Sequence, residues 1–135
     1  MFPWRFDHLA IAVRDIDAAT EFFVGKLGAK PWTDKYLDEA LNVFIVEFML
    51  GEVIIELVQD ARLDGPVSSY IEKRGEGIQH LSLEVSDIEG ALQTLKEKGM
   101  PLIDEKPRIG AGGHKIAFVH PKGSKALVEL TEPRE

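Results

Sequence analysis

The chain has 135 residues, 44% of them hydrophobic and 29% charged, with no cysteine and a formal net charge of −7. That length suits one domain with a real core. The acidic balance argues against a nucleic-acid partner, and the lack of thiols excludes disulfides, thiolate metal sites and cysteine nucleophiles. The N-terminus MFPWRFDHLA has no signal-peptide core, and the strongest apolar run, VFIVEFML, contains Glu47 and is far too short to cross a bilayer. A cytoplasmic protein with no membrane partner is therefore expected.

In chain order, FDHLAIAV (6–13) alternates, with Leu9, Ile11 and Val13 opposite His8, Ala10 and Ala12. This predicts a half-buried strand. Asp15 is placed to cap a helix, whose stripe is Ile16, Ala19, Phe23 and Leu27 and whose stop signal is Gly28. VFIVEFML (43–50) and VIIELV (53–58), separated by Gly51-Glu52, predict a hairpin. Gly65-Pro66 opens a short helix, VSSYIEKR, that closes at Gly75, with Pro66 at a favoured first helical position. QHLSLEV (79–85) predicts a second strand, with Leu81, Leu83 and Val85 opposite His80, Ser82 and Glu84. Asp87 caps the next helix, Ile88, Ala91, Leu92 and Leu95 form its stripe, and Gly99 ends it. KIAFVH (115–120) and ALVELT (126–131) form a closing hairpin.

The second half repeats the first. IQHLSLEVSDIEGAL (78–92) matches FDHLAIAVRDIDAAT (6–20) at His8/His80, Leu9/Leu81, Val13/Val85, Asp15/Asp87, Ile16/Ile88 and Ala19/Ala91. Glu56 in VIIELV matches Glu129 in ALVELT, 48 residues after His8 and 49 after His80 respectively. The expected fold is α+β: two βαβββ modules related by an internal pseudo-twofold axis, curled around a shared cavity in a single domain. Module one covers about 6–58, a linker helix about 66–74 and module two about 78–131.

Period-two geometry puts Glu56 on the face of Ile54 and Val58, and Glu129 on the face of Leu127 and Thr131. A carboxylate among such neighbours is expensive to bury unless it is paired or bound to a metal. Taken singly, a strand histidine is more often a hydrogen-bonded structural residue, and a strand glutamate more often faces water. Repetition shifts the balance, because packing preserves leucines but gives no reason to keep His and Glu in register twice. Two imidazoles and two carboxylates form an N/O ligand set suited to Zn, Co, Mn, Ni or Fe(II), and their charge balances a divalent cation. His114 and His120 lie outside the repeat and are read as structural or solvated. Glu84 shares His80's face, as a neighbour of the site or a solvated residue. The loop IGAGGHK offers Gly110, Ala111, Gly112 and Gly113, whose backbone permits close approach of a ligand.

The stretches FDHLAIAVRDI, GPVSSYIEKRGEGIQHLSLEVSDIEGAL and LIDEKPRIGAGGHKIAFVHPKGSKALVELTE carry a resemblance. The chain resembles the vicinal oxygen chelate (glyoxalase/bleomycin resistance/dioxygenase) superfamily, and within it the methylmalonyl-CoA epimerases. This implies a divalent ion (Co, Mn, Zn or Ni) held by His8, Glu56, His80 and Glu129, and a CoA thioester as small-molecule substrate. It also implies inversion at C2 by removal and return of a proton through a metal-stabilised enolate. The proton beside a thioester is weakly acidic, so a Lewis acid at the developing charge and one acid/base group on each face suit that chemistry. Glu129 is the first choice as ligand and base. The relatives' second glutamate aligns with Ile45, which leaves Glu47, two residues on, or Glu56 for that role. Gln79 replaces the first member of the usual His-His pair, while His80 is retained. The loop 110–113 is expected to close over the thioester end, and a homodimer is expected. The rival readings are a glyoxalase I-like lyase acting on a glutathione hemithioacetal, and a non-catalytic small-molecule binding module of the same fold.

Overall fold

The computed structural model describes residues 4–133. The fold is α+β, as the sequence predicts, and divides into two compact units. One is His8–Gln79; the other joins His80 and the residues beyond it to the segment before His8.

The His8–Gln79 unit takes up β1 (Arg5–Ala12), α1 (Ile16–Thr20), a π-helical turn (Glu21–Lys26), β2 (Lys30–Pro31), β3 (Tyr36–Asp38), β4 (Val43–Leu50), β5 (Val53–Asp60) and α2 (Pro66–Arg74). Its strands run in the order β2-β4-β5-β1, with β3 also on β4. Asp15 caps α1 as expected, accepting from Ala18 N at 3.0 Å. Gly51, at φ +61, makes the two-residue connection between β4 and β5. The first and last strands of the unit, β1 and β5, are parallel neighbours, with Ala10 opposite Glu56.

Three features depart from the sequence reading. Among the described residues this unit has five strands where four are expected, two of the five being only two and three residues long. The strand β1 is covered on both faces: His8, Ala10 and Ala12 are buried, while Leu9 and Ile11 pack on the helix-side core. Leu27 is 55% exposed and not part of the apolar stripe. The cause is the π turn, in which Leu27 N donates to Phe22 O, five residues back. Its wider turn rotates the following residues off the α-helical stripe.

Ile55 and Leu57, facing away from Glu56, join Val13, Ile16, Ala29, Val46 and Phe48 in the core. Phe48 is fully buried, its ring centroid 5.0 Å from that of Phe23. Phe48→Ala is expected to destabilise the protein by about 3–5 kcal/mol, through lost transfer energy and the cavity left behind. A lowered midpoint in urea denaturation at an unchanged slope is the measurement that checks it.

The other unit contains β6 (Gly77–Glu84), α3 (Ile88–Glu97), β7 (Arg108–Ile109), a 3-10 turn (Ala111–Gly113), β8 (Lys115–Val119), α4 (Pro121–Ser124) and β9 (Leu127–Thr131), in the strand order β6-β9-β8-β7. Asp87 caps α3 through Gly90 N at 3.0 Å, with dihedrals (−138°, 94°) close to those of Asp15 (−132°, 94°). Here too the first and last strands, β6 and β9, are parallel, with Ser82 opposite Glu129. Val85, Ile88, Ala91, Leu92, Ala117, Val119 and Leu130 form the core, against which Leu95 and Trp4 pack. The closing hairpin is longer than a simple turn. It contains α4, started by His120, whose Nδ1 accepts from Lys122 N at 3.0 Å, and ended by Lys125 in the left-handed region at φ +64. Among the described residues no helix is long and apolar enough to cross a membrane.

Candidate active site

Each unit assembles one imidazole–carboxylate pair by the same local route. The histidine lies on the first strand, and the glutamate on the last strand stands opposite the residue two positions after it: Ala10 faces Glu56, and Ser82 faces Glu129. Side chains two apart share a face, so parallel pairing at this offset brings His and Glu together. His8 Nε2 lies 3.7 Å from Glu56 Oε2, and His80 Nε2 lies 3.8 Å from Glu129 Oε1. All four residues are buried, at 6–8% exposure.

Both separations exceed an ordinary hydrogen bond, which runs about 2.7–3.2 Å. They are closer to the spacing of neighbouring ligands on one ion, roughly 3–3.5 Å for donors about 2.0–2.1 Å from a zinc-sized metal. Buried, mixed N/O donors at such spacing fit a borderline divalent ion, and each pair presents the donor types that the sequence pattern predicts.

The surroundings of the two carboxylates differ. On the antiparallel side of Glu56, the residue directly opposite is Glu47. Two carboxylates facing each other across a ladder repel unless a proton or a cation lies near them. Glu47 itself is half-buried and tied by its backbone to the segment before it: its N–H donates to Thr33 Oγ1, and its carbonyl accepts from Trp32 N and Thr33 N, each at 3.0 Å. Ile45 is buried, opposite Val58 on one side and Tyr36 on the other.

Around Glu129 the neighbours are a hydroxyl and an aromatic ring. Ser82 Oγ donates to Glu129 Oε1 at 2.7 Å. Phe118 stands opposite Glu129 across β8 and β9 and meets the His80 ring edge-on, with centroids 5.5 Å apart. Phe118 is held in turn by Asp104, whose Oδ2 accepts from Phe118 N at 2.9 Å and from Arg108 Nε at 3.3 Å. The Arg108 guanidinium lies 5.4 Å from the Phe118 ring centroid.

A second repeated device escaped the sequence reading. Three residues after each glutamate, a side chain caps the helix of its own unit: Gln59 Oε1 accepts from Ile16 N at 2.8 Å, and Glu132 Oε2 accepts from Ile88 N at 2.7 Å. The sequence signal was present in Glu56-Leu57-Val58-Gln59 and Glu129-Leu130-Thr131-Glu132. Each cap ties the strand that carries the carboxylate to the helix behind it, which restricts the carboxylate's position.

In the glycine loop, Gly110 is buried and Gly112 and Gly113 are exposed, with Ala111 between. A Cβ on Gly110 would meet Ile116 Cδ1 at 2.5 Å, so a larger residue there requires the Ile116 side chain to shift. Gly112 and Gly113 have φ of +72° and +81°. The Gly110 amide donates to His114 O at 2.9 Å, and the Gly113 amide to Gly110 O at 3.2 Å, so these two serve the loop's own shape. His114 Nδ1 lies 2.9 Å from Glu132 O and His120 caps α4, structural roles for both. Glu84 stands opposite Thr131 at the end of β6, partly exposed.

Two α+β units, each with a histidine on the first strand and a glutamate on the last, present a candidate metal-chelating site. The chain belongs to the Glyoxalase/Bleomycin resistance protein/Dioxygenase superfamily, whose sequence profile matches residues 7–118. It is 37% identical over 131 residues to an uncharacterised protein of Bacillus subtilis (strain 168), covering 96% of this chain and 93% of that one. It is 36% identical over 132 residues to the ethylmalonyl-CoA/methylmalonyl-CoA epimerase of Cereibacter sphaeroides, covering 95% and 97%. The crystal structure of methylmalonyl-CoA epimerase from Mycobacterium tuberculosis superposes with a TM-score of 0.85 at 29% identity, covering 96% of this chain and 88% of that one.

Proposed function

We propose that this protein is a metal-dependent epimerase that inverts C2 of methylmalonyl-CoA. The observation that carries the reading is the buried His–Glu pair placed at the same strand offset in each unit. The likeness to the ethylmalonyl-CoA/methylmalonyl-CoA epimerase of Cereibacter sphaeroides along nearly the whole chain supports a substrate of this class. The two units act as one domain of residues 1–135, with His8, Glu56, His80 and Glu129 holding one divalent ion. That ion supplies Lewis acidity for the charge that develops on the substrate beside the carbon losing its proton. Glu129 takes the C2 proton on one face, its free rotation limited by Ser82 and its strand tied down by Glu132. The opposite face falls to Glu47 or Glu56, which stand side by side across β4 and β5. The segment 110–113 covers the thioester end. A cytoplasmic homodimer is the proposed working assembly.

The test is proton exchange. Incubation with methylmalonyl-CoA in heavy water is expected to place deuterium at C2 and interconvert the two epimers. Thioester formation from methylglyoxal and glutathione, with no exchange at C2, would replace this reading with a glyoxalase I-like lyase. Neither reaction, together with no metal after gentle purification, would leave a binding module.

A further inference from the structure

The residues that face the two proposed metal-binding carboxylates differ. The residue facing Glu129 is Ser82, fully buried, and its hydroxyl donates to Glu129 Oε1 at 2.7 Å. The residue facing Glu56 at the matching place is Ala10, also fully buried, whose methyl side chain offers no donor. Oε1 is also the oxygen that stands 3.8 Å from His80 Nε2. One hydroxyl therefore sets which oxygen of Glu129 faces the imidazole, and how far away it stands.

We infer that Ser82 is a positioning residue that holds the Glu129 carboxylate as a preorganised ligand beside His80. The inference rests on the metal-site reading above. The physics is that of an outer-shell partner. A carboxylate bound only to an ion can rotate about its last two torsions, and a buried donor on one oxygen removes that freedom before the ion arrives. Binding then costs less ordering entropy, and the ligand geometry is narrower. Ser82 can do this because its strand position gives it no other outlet. It is fully buried, opposite Glu129, with its side chain on the same face.

Cobalt(II) is the probe, because its visible absorption reports ligand geometry independently of turnover. Full-length protein is stripped with a chelator and titrated with cobalt(II) alone, as wild type, Ser82→Ala and Ser82→Thr. The expected result is a loss of cobalt affinity of about 10- to 100-fold in Ser82→Ala, with a changed absorption band. Thermal stability of the stripped protein should stay close to wild type, and Ser82→Thr, which keeps the donor, should restore affinity and band. Wild-type affinity and band in Ser82→Ala would overturn the inference. Equal losses in the Ala and Thr variants would also overturn it, by marking Ser82 as a packing residue. Should Ser82→Ala not fold, Ser82→Cys, nearly the same size with a far weaker donor, carries the same comparison. A wild-type protein that takes up no cobalt would instead overturn the metal site itself, and Ser82's role with it.

Discussion

Glu129→Gln is expected to lower the rate of methylmalonyl-CoA epimerisation roughly 100- to 10,000-fold, the range contributed by a positioned general base. The substitution keeps the size of the side chain, and the new amide oxygen can still accept from Ser82 Oγ, which bonds Oε1 in the parent protein. The core behind Glu129, built from Leu130 and its neighbours, is untouched. A circular dichroism spectrum and an unfolding midpoint near those of the wild type should therefore accompany the lost activity. Deuterium exchange at C2, measured separately on each epimer, is the decisive reading. Full exchange in a folded Glu129→Gln protein would remove Glu129 as a base. The same assay on Glu47→Gln and Glu56→Gln assigns the other face, since the second base is the one whose loss silences exchange from a single epimer. The two should not behave as duplicates. Glu56 stands 3.7 Å from His8 Nε2, whereas Glu47 lies one strand further away. Metal content should fall in the Glu56 variant and hold in the Glu47 variant.

Removal of the divalent ion is expected to cost at least about 100-fold in turnover, from the several kcal/mol that a Lewis acid contributes to a developing charge. Wild-type protein should carry about one ion per chain, as a set of protein ligands with a position left open for substrate would hold. Chelation should abolish activity, and added cobalt(II) or manganese(II) should restore it. His80→Gln should resist restoration. The imidazole is 7% exposed on its side chain and packs edge-on against Phe118, so glutamine fills most of its space but does not replace its nitrogen at the carboxylate. Elemental analysis and activity are read on the same samples. A stripped protein that still epimerises at the full rate would defeat the metal site, whatever the fate of His80.

Much of this was legible from local patterns. The repeated phrase located both histidines, and strand alternation put Glu56 and Glu129 on the faces opposite Ile55, Leu57, Val128 and Leu130. Asp15 and Asp87 cap as read because a capping side chain reaches only three residues along its own chain. The meeting of Glu47 and Glu56 could also have been derived. Gly51-Glu52 closes a two-residue turn with Leu50 opposite Val53, and counting back three steps on one strand and forward three on the other pairs them. The displacement of Leu27 was not legible, because a π turn is a rare departure from the helical period that the apolar stripe follows.

The amino-acid order by itself determined the donor types, their spacing in each half and the face of the strand each occupies, because strand period and capping act within a few residues. Tertiary structure decided who stands beside whom across strands distant in sequence: Ser82 beside Glu129, Ala10 beside Glu56, and Phe118 against His80. Such register depends on burial of a whole face at once, and a slip of one residue would turn every side chain of the strand to the wrong side. The strand pattern therefore supplies matching side chains, and the packing makes their surroundings unequal.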